Sequence, residues 1–305
     1  MKGVEAILTA FEQALDPQHL EQSPVKAELV GYGEISAIFA IDAIDGWVFK
    51  RMPLFTSREQ AEAYLANYYE YCELLTEAGL NLPGHDCFII PNGRLFVLYI
   101  GQERFAAEAL CHRRIHAQGT EETLEMLDRI IQALNGIQAF NRRRMPEREI
   151  AIDGQLSNWA WQESEGAHRL AYFDTSTPLF KRSGVEAMDP ELVLKSAPGP
   201  LRAAIRMFFL DDVMNRYYRP REVYIDLVAN LYKEQCPGLI PAFLERINRH
   251  LPENEAITRK EVGRYYREDK FIWQFFLAAR RIDRWVKRKL LGRPYEFILP
   301  GPIRR

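Results

Sequence analysis

An α+β protein in two lobes is what the sequence predicts, and three observations predict it. Short runs of β-branched and aromatic residues, broken by Asp45-Gly46 and Asn92-Gly93, fill the first hundred residues and read as an antiparallel sheet built of hairpins. Amphipathic helical spacing dominates the remainder of the chain. One strand-like, polar island at 150–178 interrupts the helical part. At 305 residues the chain is long enough for two lobes sharing a cleft. The division expected is a sheet lobe over 1–101, preceded by an extra helix at about 3–16, and a larger, mainly helical lobe over 102–305.

Each element has a local cause. "MKGVEAILTAFEQAL" places apolar residues at helical spacing interrupted by Glu5 and Glu12, unlike the unbroken apolar core of a signal peptide. Residues 22–24 read as a linker. "KAELVGYG", "SAIFAIDAI" and "GWVFKRM" read as three strands within 26–52. A helix is predicted over 57–78, with Ser57 as N-cap and Gly79 as its stop. "CFIIP" and "RLFVLYI" form a second hairpin, and the sheet ends near 100–102. Two helices are expected over 102–141 and four or five over 189–292, including one in "YYRPREVYIDLVANLY".

Composition narrows the function class. Hydrophobic residues at 47% and charged residues at 27% match an ordinary soluble globular protein. A net charge of −2 lacks the basic footprint of a dedicated nucleic-acid binder. Cys72, Cys87, Cys111 and Cys236 form no C-x-x-C pair, which favours a reducing compartment over a disulfide or zinc framework. "FIWQFFLAA" at 271–279 is too short to span a bilayer. The expectation is a cytoplasmic protein with neither a nucleic-acid nor a membrane partner.

The chemistry-bearing residues come as a series. "GYGEIS" at 31–36 puts Gly31, Gly33 and Ser36 in a hairpin loop; two glycines let the backbone fold over a ligand and turn N–H groups toward phosphate. Lys50 ends the strand "WVFK" one hairpin later. A lysine there either reaches phosphate under the loop or extends to solvent. Glu70, on the next helix, has the separation to hold that lysine, although it points away from the stripe of Ala61, Leu65, Tyr68, Cys72 and Leu75. Glu62 lies nearer that stripe's edge and competes for the role. In "AIDGQLSNWAW", Asp153 has the chemistry to accept a proton from a hydroxyl. Asn158, with Asp174 of "LAYFDTSTP", offers oxygen ligands for Mg²⁺, which needs few from protein. Each residue is also a common turn former or cap. Together, and in this order, they are harder to read as turns alone.

That order resembles the protein kinase-like fold, and most closely the aminoglycoside phosphotransferase and choline kinase branch. "GYGEISAIFAIDAIDGWVFKRMP" is similar to the branch's nucleotide loop and third strand. "RLFVLYIGQE" resembles its hinge, "AIDGQLSNWAW" its catalytic loop and "LAYFDTSTP" its metal-binding strand. The resemblance covers about 25–180. It implies ATP and Mg²⁺ as cofactors and a small-molecule hydroxyl as acceptor. Gly31, Gly33 and Ser36 would cover the phosphates, Lys50 would bind them with Glu70 as partner, Asp153 would be the base, and Asn158 and Asp174 the metal ligands. The chain departs from the pattern at Ala151, where the branch usually has histidine, and at Thr175 and Ser176, where Phe-Gly is usual. Those departures leave open a nucleotide-binding or regulatory scaffold that transfers nothing.

Four further features remain. His112 and His116 are spaced i, i+4 but lack a third metal ligand nearby in sequence. "NRRRMPERE" reads as a solvated connection before the catalytic loop. Asp211 and Asp212 suit a cationic acceptor. The closing stretch from 280 is basic with interleaved aromatics; Trp285 and Leu290 are expected to pack on the body, the alternative being contact with an anionic membrane or nucleic acid.

Overall fold

The structure, a computed structural model, describes residues 3–33, 36–164, 167–189, 191–195, 199, 202 and 215–301. Asp211 and Asp212 lie outside the described residues. The N-terminal region is an antiparallel sheet and the C-terminal region is mainly helical, a two-lobed α+β arrangement.

Helix α1 (Val4–Ala14) precedes five strands: β1 (Ala27–Tyr32), β2 (Ala37–Ile41), β3 (Trp47–Phe55), β4 (His85–Asn92) and β5 (Leu95–Glu103). Their order in the sheet is β1-β2-β3-β5-β4, and every neighbouring pair is antiparallel. Gly46 and Gly93, at φ 73° and 59°, make the turns that the two hairpin dipeptides predict. Helix α2 (Arg58–Glu77) crosses between β3 and β4, with the Ser57 hydroxyl accepting from Gln60 N and Gly79 at φ 94° just past its end.

Strand parity divides the sheet into two faces. Phe49, Val97 and Tyr99 pack with Phe39 under α1, where Val4, Leu8 and Phe11 complete a small core. Met52, Leu98 and Ile100 point the other way, joining Tyr64, Tyr68, Tyr71 and Leu75 of α2 in the main core. That core continues into the helical region.

There α3 (Cys111–Arg114) and the long α4 (Thr120–Arg144) precede β6 (Arg148–Ile150). The strand-like island holds the hairpin β7 (Trp159–Ser164) and β8 (Ala167–Tyr172), and is flanked by a small sheet ordered β10-β9-β6, whose β9 (Phe180–Arg182) and β10 (Val185–Glu186) lie just beyond it. After α5 (Glu191–Leu194) come α6 (Pro220–Lys233), α7 (Ile240–Asn248) and α8 (Arg259–Trp285). The chain end returns to the sheet lobe, placing Ile298 in the core beneath α1. No helix among the described residues is long and apolar enough to cross a membrane.

Candidate functional site

The candidate site begins on one face of the sheet. Cross-strand pairing sets Gly31 opposite Ile38, Ile38 opposite Lys50, and Lys50 opposite Ile100. The glycine loop and Lys50 therefore share one transverse row. A register shift between Leu29 and Gly31 bends β1 into that loop. Gly33 N donates to Ser36 O at 2.9 Å, and a Cβ at Gly33 would run into the Ser36 hydroxyl. Glu34 and Ile35, between Gly33 and Ser36 in sequence, lie outside the described residues.

Lys50 is nearly buried, and its Nζ donates to Asp174 Oδ1 at 2.7 Å and to Ser176 Oγ at 2.9 Å. The Asp174 side chain remains one-third exposed (32%), so the pair opens on solvent. Lys50 and Asp174 stand 124 positions apart in the chain.

The Lys50–Glu70 pairing expected from the sequence is not formed. Glu70 sits on the outward side of α2 and pairs with Arg148 Nε at 2.9 Å and with Arg182. The Arg182 hydrogen bonds, foremost, hold its carboxyl below the usual carboxylate range, against the opposing effect of burial and with help from Arg148. Glu62, the competing candidate, is exposed and pairs with Arg58 at 3.7 Å. Toward the segments that carry Asp153 and Asp174, α2 presents buried tyrosines instead. Tyr64 OH donates to Ser176 O at 2.6 Å, Tyr71 OH donates to Ala151 O at 2.6 Å, and Tyr68 OH accepts from Thr175 Oγ1 at 3.4 Å. A glutamate is visible in sequence as a partner for lysine. A tyrosine stripe reads only as core, and its hydroxyls acquire partners through packing.

These bonds also give the departures from the kinase pattern their local sense. Ala151 is buried, with its N–H on Leu179 O at 2.9 Å and its carbonyl on Tyr71. The loop is braced from α2 without a histidine. Thr175 and Ser176 each accept a hydrogen bond, from Gln102 Nε2 at 2.9 Å and from Lys50. Gln102 also donates to Phe173 O at 3.0 Å, fixing the end of β5 to the segment carrying Asp174.

Asp153 lies in the loop after β6. Gln155 N donates to its Oδ1 at 3.0 Å, and Asn158 Nδ2 donates to its backbone carbonyl at 3.1 Å. Phe173 N donates to Asn158 O at 3.1 Å, joining this loop to the Asp174 segment. The loop presses on α6: a Cβ at Gly154 would meet Val223 Cγ1 at 2.7 Å. From α6 the buried Asp226 accepts from Gln155 Nε2 at 3.0 Å. Burial first, then the negative charges of Asp226 and Asp174, push the Asp153 carboxyl well above the usual carboxylate range. Burial likewise raises Asp226, against the opposing pull of Arg216. Asp226 and Gln102 carry no signal in sequence that sets them apart from ordinary helix and strand residues.

Away from the cleft, burial lowers His112 to about 4, and His116 Nδ1 lies 3.5 Å from Cys236 Sγ. Among the described residues no cluster of three or more histidines, cysteines and acids is placed to hold a metal.

The chain belongs to the Family of unknown function (DUF6206), which residues 30–284 match. No curated protein matches the chain in sequence. Among solved structures it is similar to the GDP and kanamycin complex of APH(2″)-IIia, at 11% identity and a TM-score of 0.29, over 76% of this chain and 95% of that one. It is also similar to the GDP complex of wild-type aminoglycoside 2′-phosphotransferase-IIIa, at 12% identity and a TM-score of 0.29, over 79% of this chain and 96% of that one. Overlaps this loose assign neither residue roles nor a substrate.

Proposed function

We propose that the chain is an ATP- and Mg²⁺-dependent phosphotransferase acting on a hydroxyl group of a small molecule. One observation carries the reading: Lys50 of the sheet lobe meets the partly exposed Asp174, and the adjoining loop bears Asp153 and Asn158. A lysine ammonium has three donors, of which Asp174 and Ser176 engage two. The third is available to a phosphate oxygen beneath the loop of Gly31, Gly33 and Ser36.

Asp174 and Asn158 would hold the metal. The residues present fit a cation, because the Asp174 charge is close enough to disfavour ionisation of Asp153. The Asn158 amide donates through nitrogen and keeps its carbonyl oxygen for a ligand. When bound, Mg²⁺ would neutralise phosphate charge and orient the transferred group. Asp153 would accept the proton of the acceptor hydroxyl, and its raised pKa makes it a stronger base than an ordinary carboxylate once ionised.

A nucleotide-binding scaffold without transfer is favoured by one specific observation, the engagement of Glu70 by two arginines instead of Lys50. ATP binding by calorimetry, with and without Mg²⁺, on the parent and on Asp174→Asn, tests the common premise. Mg²⁺-dependent binding lost in the variant is the expected result. Absence of binding under both conditions rejects the nucleotide site. Phosphate release from ATP, present in the parent and lost in Asp153→Asn with binding kept, then separates enzyme from scaffold.

A further inference from the structure

The closing stretch of α8 does not pack as the sequence led one to expect. Trp285 is 56% exposed and Leu290 is 65% exposed. Trp285 continues a stripe. Phe271, Phe275, Ile282 and Trp285 recur at offsets of 4, 11 and 14, which places them on one face of a helix, and all four are exposed. Leu290 and Leu291, just beyond the helix end, are exposed too. The opposite face supplies the contact with the body, through the buried Val262, Leu277 and Arg280. Helix α8 thus has two apolar faces, one of them turned outward.

Its charge is as one-sided as its exposure. Cations outnumber acids twelve to four along 259–293, in a chain of net charge −2. Arg281, Arg288, Lys289 and Arg293 are exposed around the apolar residues. Isolated apolar residues on a surface need no explanation, but six exposed together and flanked mainly by cations, with Glu268 the exposed acid beside them, mark an interaction surface. A second copy meeting this face with its own would bring the same cationic excess. Nucleic acid would answer the charge but leave Ile282, Leu290 and Leu291 without an apolar partner.

We propose that this outer face of α8 docks peripherally on an anionic lipid surface, its aromatic and aliphatic residues entering the headgroup–acyl boundary and its cations lying against acidic headgroups. This is how an interfacial amphipathic helix divides its faces. Such docking requires no spanning helix, and no helix among the described residues is long and apolar enough to be one. It is independent of the chemistry proposed for the cleft.

Vesicle co-sedimentation of the full chain tests the inference. Vesicles mixing phosphatidylglycerol with phosphatidylcholine should bind the parent, and pure phosphatidylcholine vesicles should not. Binding should weaken with added salt. The double variants Trp285→Ser with Leu290→Ser, and Arg288→Glu with Lys289→Glu, should each lower the partition coefficient about tenfold or more, with the melting temperature unchanged because all four residues are exposed. Equal binding to neutral vesicles, or no binding at low salt, overturns the proposal. So does binding of a short oligonucleotide, or self-association abolished by the same variants, in place of vesicle binding.

Discussion

Lys50 and Arg51 are adjacent on β3, yet parity sends them to opposite faces, where each meets a carboxylate under different rules. Arg51 is buried beneath α1 and forms a two-pronged pair with Glu12, both bonds 2.7 Å long. Asn92 and Tyr99 donate to the same carboxylate, and Arg51 Nη1 donates to Glu296 O from the returning chain end. Burial alone would raise Glu12, but the Arg51 bonds and charge, with Tyr99 and Asn92, overcome it and leave its carboxyl low. Four of the five guanidinium N–H groups and both carboxylate oxygens of Glu12 are engaged. Lys50 faces the cleft with one donor to spare, on an aspartate that water still reaches. A saturated, dry ion pair is structural because nothing can enter it. An unsaturated pair open to solvent can exchange partners, and that is the property a ligand site needs.

The largest effect should come from the saturated side. Arg51→Met leaves Glu12 charged and buried, and should cost about 3–5 kcal/mol of unfolding free energy in denaturant titrations. The pH dependence has a definite sign. Glu12 is lowered in the fold, so its contribution is present above the usual carboxylate pKa and is lost as pH falls through the lower folded value. A parent whose stability shows no such acid loss would break the contrast.

On the open side, Lys50→Met should change stability by only about 1 kcal/mol, since Asp174 is partly exposed, while lowering ATP affinity about tenfold or more. Equal stability losses at Lys50 and Arg51 would make both pairs structural. Asp153→Asn should raise stability at neutral pH by about 1 kcal/mol. The sign comes from Asp153 being raised: the fold favours its protonated form at low pH, and that advantage disappears as pH climbs through the raised value. The gain from asparagine should therefore shrink on acidification, which melting curves at several pH values would show. The smallest effect belongs to Glu70→Gln, which loosens a partly exposed pair with two arginines and should cost about 1 kcal/mol or less without altering ATP binding. A large drop in ATP affinity there would restore Glu70 to the site.

Local patterns carry far in this chain. Alternation of apolar residues and two Gly hairpins make the sheet legible, and Ser57 and Gly79 mark the ends of α2, because such elements are specified by residues close in sequence. The proximity of Lys50 to Asp174 is an inference from order alone; nothing local measures a gap of 124 positions. The choice between Glu70 and Glu62 fails for a related reason. Side-chain type names the candidates, but Arg148 and Arg182 arrive from β6 and β9 to claim Glu70, and the tyrosines of α2 fill the space a glutamate would have used. Asp226 and Gln102 are invisible for the same cause, each being tied to the site by a bond to a distant loop.

By itself, then, the sequence determined the α+β class, the strand parity that turns Lys50 and Arg51 apart, and the residue types available for chemistry, since these depend on backbone preference and periodicity. Only tertiary structure decided which carboxylate each cation would meet, how far Asp153 is pushed toward its protonated form, and which face of α8 would be left uncovered. Those outcomes depend on distance, burial and competing partners, and these exist only once the chain has closed on itself.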